Sequence, residues 1–254
     1  MPTLDDSRQA LRDRQGAGAR WDSHAAPADE LGWARRGTAY FARLLNDLTE
    51  EELDRPSQVP GWSRRHVVAQ IGYQARALTR LTGWAAGGPE LAMYDSEQAR
   101  RDEIEEGATL PSRALRGLFR HAAVHLDVEW RDLTAEAWDR TLRLADGTAL
   151  AVRDTPLMRA GEIWLRAVDL DSGGSLVDAP PDLLDRLLAT MARSWTGGPL
   201  TLVAEDSGHR YDFGAGDGPA VSGKAADLLR WASGRGARRL SHDRPLPPVE
   251  PPAR

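Results

Sequence analysis

The stretch EIWLRAVDLDSGGSLVDAPPD, Glu162 to Asp182, is a helix end that runs into a joint. Its first half closes a helix expected from about Pro156 to Leu170. The texture then changes, because Gly173, Gly174, Pro180 and Pro181 mark a linker and so divide the chain into two units. On the helix, Glu162 and Arg166 lie four residues apart, so their side chains share one face and can meet. Taken alone, such a pair is most often a solvated surface contact worth roughly 0.3–0.5 kcal/mol.

Upstream of this helix the pattern is helical throughout. Leu31, Ala34, Thr38, Phe41, Leu45 and Leu48 recur at helical spacing, which predicts a first helix from about Asp29 to Leu48. A loop marked by Pro56, Pro60 and Gly61 follows. Ser63 is the natural N-cap of a second helix whose buried stripe is Val67, Ile71, Ala75, Leu78 and Leu81, with His66 and Gln70 one turn apart on a neighbouring face. A long excursion leads to a third helix after Pro111. A short hairpin turning at LADGTAL precedes the fourth. Four helices with one long connection predict a four-helix bundle.

Downstream of the joint, PDLLDRLLATMARSW is an amphipathic helix, LTLVAED, RYDFG and AVSGK are short strands between Gly/Asp turns, and AADLLRWASGR is a closing helix. The expected class is α+β, a helical bundle followed by a smaller C-terminal α/β domain. The expected boundaries are a polar N-terminal extension over 1–28, the bundle over 29–172, the second domain over 180–241 and a proline-rich tail over 242–254.

Composition excludes several functions. The net charge is -5 and no basic stripe interrupts the mixed charges, which argues against nucleic acid as a partner. There is no cysteine, so disulfides, thiolate metal sites and cysteine nucleophiles are ruled out, and any thiol chemistry needs a thiol from outside. The N-terminal residues MPTLDDSRQALRDRQ lack an apolar signal core, and no run approaches the roughly 20 apolar residues that span a bilayer. A cytoplasmic protein with no membrane partner is expected, and a monomer.

The segments PGWSRRHVVAQIGYQARAL, MYDSEQARRDEI, GEIWLRAVDL and LLRWASGRG, in this order between about residues 30 and 240, together resemble the mycothiol-dependent maleylpyruvate isomerases, within the broader DinB/YfiT-like bundle superfamily. The resemblance implies an N-terminal DinB/YfiT-like bundle and a smaller α/β domain. It also implies isomerisation of a cis-unsaturated diketo acid to its trans form. In that chemistry zinc, held by two histidines and a glutamate, keeps the thiol of mycothiol as a nucleophilic thiolate. Addition to the double bond, rotation and elimination then return the thiol and the trans product.

Carried over residue by residue, the resemblance puts the first histidine ligand on Gln70, the glutamate on Glu162 and the second histidine on Arg166. An amide oxygen is a poor zinc ligand, and a guanidinium has no lone pair to give. The expectation is that Arg166 pairs with Glu162 in place of the metal, so zinc is not expected, while mycothiol stays open. The family's substrate-binding arginines fall on Arg100 and Arg235, whose planar forks suit a small acidic substrate. His66 is a further catalytic candidate. His121 and His125 in HAAVH have the spacing of a metal pair, but the glutamate between them is missing and they fit an exposed face. Trp62, Trp84, Trp164 and Trp231 are expected as core and interface anchors. Three readings stay open: a zinc-free enzyme that uses arginines, a thiol-dependent enzyme whose thiol Arg166 activates, and a non-catalytic binder of a small acid.

Overall fold

A computed structural model describes residues 21–144, 147–246 and 248–250 of the chain. The N-terminal extension lies mostly outside these residues, as do the tip of the expected hairpin turn and the end of the tail.

Four long helices form the bundle: α1 (Ala28–Asn46), α3 (Arg64–Ala85), α5 (Ser112–Asp132) and α7 (Thr155–Asp169). Of the predicted stripes, Leu31, Ala34, Phe41 and Leu45 on α1 and Val67, Ile71, Ala75, Leu78 and Leu81 on α3 are buried, whereas Thr38 is half-buried and Leu48, though buried, lies beyond the end of α1. In the ring, α3 packs against α5 and α7, and α1 packs against α7. The last contact is close because of Gly37: a Cβ there would lie 2.6 Å from Ile163 Cγ2 and 2.8 Å from Trp164 Nε1. Short elements complete this unit. Helix α2 (Glu50–Leu53) is held by a capping box between Thr49 and Glu52, and α6 (Ala135–Trp138) is followed by the antiparallel hairpin β1 (Thr141–Arg143) and β2 (Ala149–Ala151).

The long excursion contains a helix that periodicity did not predict, α4 (Glu97–Ala108). In EQARRDEIEEGA only Ile104, Gly107 and Ala108 are buried, so no apolar stripe announces it. Its start is set locally, by Ser96 Oγ accepting from the Ala99 N–H at 3.0 Å.

In the smaller unit, α8 (Pro181–Ser194) and α9 (Ala225–Ala232) pack against a four-stranded sheet of β3 (Leu200–Ala204), β4 (Arg210–Phe213), β5 (Ala220–Gly223) and β6 (Ser241–His242). The order is β4-β3-β5-β6, with β3 and β5 parallel and the outer pairs antiparallel. Leu200, Leu202 and Ala204 alternate inward along β3, as a half-buried strand requires. Strand β6 is too short to show a pattern in sequence. The joint is fastened to the bundle by Tyr40, which stacks on Trp164 at 4.8 Å, donates to Asp178 Oδ2 at 2.6 Å and accepts from the Ser175 N–H at 2.9 Å. Trp62, Trp164 and Trp231 are buried and Trp84 half-buried. Among the described residues no helix is long and apolar enough to cross a membrane.

Candidate functional site

Helices α3 and α7 lie side by side, and this places Gln70 Nε2 3.0 Å from Glu162 Oε1, to which it donates. Arg166 Nε donates to the same oxygen at 2.8 Å. On the other side of Gln70, Arg100 Nη1 donates to Oε1 at 3.1 Å, while Arg100 Nε and Nη2 hold Glu97 Oε1 at 2.9 and 2.7 Å. Helix α4, absent from the expected helices, thus carries the expected arginine. Arg100 turns inward with its side chain 16% exposed, whereas its neighbour Arg101 is 56% exposed.

Toward the C-terminal unit, Arg166 Nη1 donates to Asp169 Oδ2 at 3.0 Å. Arg235, expected to hold a carboxylate, holds that of Asp169: Nε donates to Oδ1 at 2.7 Å and Nη2 to Oδ2 at 2.5 Å. An unbroken line of polar contacts therefore runs from Glu97 to Arg235 and crosses from one unit to the other. Three carboxylates and three guanidiniums alternate along it, and Arg101 adds a further cation 3.8 Å from Glu97 Oε1.

The electrostatics follow from this arrangement. Burial pushes the Glu162 carboxyl up, but the charge of Arg166 and the hydrogen bonds from Arg166 and Gln70 outweigh it and hold the group below the usual carboxylate range. Burial likewise disfavours the charged Arg166, and Glu162 and Asp169 more than offset that. Glu162 is thus ionised and weakly basic. The guanidinium of Arg166 lies 5.4 Å from the centre of the Trp62 ring, a cation–π distance.

His66 stacks on the other partner of this cluster, Trp62, with ring centres 5.9 Å apart. Its Nδ1 accepts from the Ser63 N–H at 3.2 Å and lies 2.8 Å from Ser63 Oγ, and its Nε2 lies 3.1 Å from Glu105 Oε2. Both ring nitrogens are engaged in capping α3 and tying it to α4, and His66 is not joined to the Gln70–Glu162 contact. His121 and His125 are exposed, and His125 pairs with Glu129 at 3.3 Å.

Sequence reasoning missed Asp169, Arg159 and Tyr94. Asp169 is completely buried and stands three residues after Arg166, so its face was readable, but not its partner 66 positions away. One turn before Glu162, Arg159 is 1% exposed and donates through Nη1 to Ile71 O and Gln74 Oε1, both at 2.8 Å. Burial lowers its pKa to about 10. Burial also raises the Tyr94 hydroxyl to about 12, within the electrostatic reach of Arg100 and Glu162.

The donor set at the three implied ligand positions does not suit zinc. Arg100 can only donate and Glu162 can only accept, so the Gln70 amide is oriented with its nitrogen, not its oxygen, toward Glu162. Arg166 and Gln70 both donate to Glu162 Oε1, and the guanidinium, which has no lone pair to give a metal, sets a positive charge beside that carboxylate.

Residues 34–171 match the family described as the mycothiol maleylpyruvate isomerase N-terminal domain, and residues 178–247 match the MDMPI C-terminal domain. Among curated proteins none matches. A crystal structure of the mycothiol-dependent maleylpyruvate isomerase is similar at 36% identity with a TM-score of 0.82, over 87% of this chain and 96% of that one. A histidine-to-alanine mutant of the same enzyme gives the same figures. On two domain matches that together span both units, the chain belongs to the mycothiol-dependent maleylpyruvate isomerase family.

Proposed function

We propose that this chain is a metal-independent enzyme of the family, acting on a small unsaturated acid by isomerase- or lyase-type chemistry. Arg100 anchors a substrate carboxylate and Arg166 is the fixed positive charge beside the reacting atoms. The observation that carries this reading is the placement of the Arg166 guanidinium between Glu162 and Asp169, on the position where the family resemblance implies a histidine ligand. Isomerising a cis-unsaturated keto acid requires the double bond to gain single-bond character while negative charge builds on the conjugated oxygen. A guanidinium held in advance by two carboxylates stabilises that charge without reorganising.

An arriving carboxylate competes for Arg100 with the carboxylate already paired to it. Glu97 is the one most able to leave, with its side chain 58% exposed and bonded only at the helix surface. Arg235 contributes through Asp169, which orients Arg166. A second reading adds an external thiol: with no cysteine in the chain, a thiol of the mycothiol type would supply a nucleophile that opens the double bond to rotation.

Two measurements test the proposal. Elemental analysis of the purified protein is expected to find no stoichiometric zinc; about one zinc per chain, lost on Glu162→Gln, would overturn metal independence. In calorimetric titration with small unsaturated dicarboxylates, Arg100→Ala is expected to weaken binding by about 1.5–3 kcal/mol, the range for hydrogen bonds to charged groups. Glu97→Gln removes a competitor that is only surface-paired, and should tighten binding by up to about 1 kcal/mol. Unchanged affinity in both variants removes the acidic-substrate reading.

A further inference from the structure

A polar cavity of about 410 Å³ lies at the joint of the two units. It is lined by Val168 and Asp171, and the 3.6-residue repeat turns Val168 well off the face of α7 that carries Glu162, Arg166 and Asp169. The C-terminal unit contributes Asp227, Arg230, Arg238 and Arg239 to the lining. Three guanidiniums thus meet two carboxylates. Among the described residues no ion pair within salt-bridge distance reaches Arg230, Arg238 or Arg239, in contrast to the paired arginines of the neighbouring site.

The hydrogen bonds leave the same surplus. Gln58 bridges the units, donating through Nε2 to Asp171 Oδ1 at 3.0 Å and accepting at Oε1 from Arg230 Nη2 at 3.2 Å. Arg230 Nε is buried without a partner. Burial, then the like charges of Arg238 and Arg235, push the Arg230 guanidinium down. The backbone adds a third observation. Among the described residues the non-glycine residues with positive φ are Asp171, at 52°, and Arg239, at 49°, and both line this cavity. That conformation is unfavourable for a side-chain-bearing residue, and here it sets one residue from each unit at a common rim.

We propose that this cavity binds a small dianion, a phosphate monoester or a dicarboxylate, between Arg230 and the Arg238–Arg239 pair, and that its occupancy fastens the C-terminal unit to the bundle. Planar guanidinium forks suit both anions. The volume falls within the range of small-molecule sites and exceeds what a bare phosphate needs. Asp171, Asp227 and Ser175 would accept from hydroxyl groups on the remainder of the ligand, which favours a hydroxyl-bearing monoester.

The test is calorimetric titration and thermal unfolding of the full chain with inorganic phosphate, glycerol phosphate and succinate, against sodium chloride at matched ionic strength. Glycerol phosphate is expected to bind tightest of the three and to raise Tm. Arg239→Gly removes a charge while relaxing the positive φ, so a folding defect cannot explain its effect; it should weaken binding by about tenfold. Arg230→Gln should do the same, and Arg100→Ala should not. If succinate binds and neither phosphate does, the site takes dicarboxylates and the hydroxyl argument falls, while the dianion site stands. The proposal is overturned if sodium chloride reproduces the Tm rise, if none of the three anions binds, if Arg239→Gly and Arg230→Gln leave affinity unchanged, or if Arg100→Ala abolishes binding, which would place the anion in the neighbouring site.

Discussion

Replacing Arg235 with alanine is expected to lower the unfolding free energy by about 3–5 kcal/mol, the cost of stranding a buried charge. The two side chains are 5% and 0% exposed, and the contact is a two-pronged fork rather than a single bond. Once Arg235 is gone, Asp169 keeps the Arg166 Nη1 donor, and Ser233 O loses the Nη1 donor. Denaturant unfolding should show the midpoint falling at constant slope. Arg235→Lys keeps the charge without the fork and should fall between wild type and alanine. The double variant Asp169→Ala, Arg235→Ala should cost less than the sum of the singles, because it leaves no orphaned partner. A loss below about 1 kcal/mol for Arg235→Ala, the scale of an exposed pair, would show that Asp169 finds other solvation and that the fork is incidental.

How much of this was legible in sequence differs by residue. The α3 stripe of Val67, Ile71 and Leu78 could be read from its period, and Gly173, Gly174 and the two prolines marked the joint. The Glu162–Arg166 contact was open to reading from helical spacing, since residues four apart share a face. Helix α4 was not legible, because a helix polar nearly all round carries no periodic signal and is defined instead by its cap and by what Arg100 reaches. Asp169 was visible on the same face as Glu162 and Arg166, but what makes it matter is Arg235, and that proximity is produced only when the two units dock. For His66 the sequence offered both a cap and a base; its Nδ1 accepts from the Ser63 N–H at the start of α3 and its Nε2 faces Glu105 on α4.

The other large effect is expected at Arg166. If its charge stabilises the developing anion, Arg166→Ala and Arg166→Lys should both lower activity on the acid identified by titration by about 100-fold or more, roughly 2.7 kcal/mol of barrier. Lysine preserves the charge but cannot donate to Glu162 and Asp169 in the same plane, so its loss would identify the fork rather than the charge alone as the working feature. Folding and ligand affinity, measured in parallel, separate this from collapse of the network. Activity that survives in both variants would make Arg166 a bystander, and unchanged ligand binding without turnover in the wild type would make the chain a binder of small acids. The double variant Gln70→His, Arg166→His offers the opposite outcome: with Glu162 it presents a two-histidine, one-glutamate set, and zinc uptake should appear while the native activity disappears.

The shared contacts from Glu97 to Arg235 also make the present arrangement costly to change one residue at a time. A single change of Arg166 to histidine leaves Glu162 and Asp169 with one fewer cation before any metal can compensate, and a single change of Gln70 to histidine breaks the bridge to Arg100 while the guanidinium still blocks the carboxylate. Either single change is therefore expected to loosen the network without supplying the second histidine of a two-histidine, one-glutamate set. A network whose members share partners in this way resists stepwise change, because each single substitution strands the partner that it leaves behind.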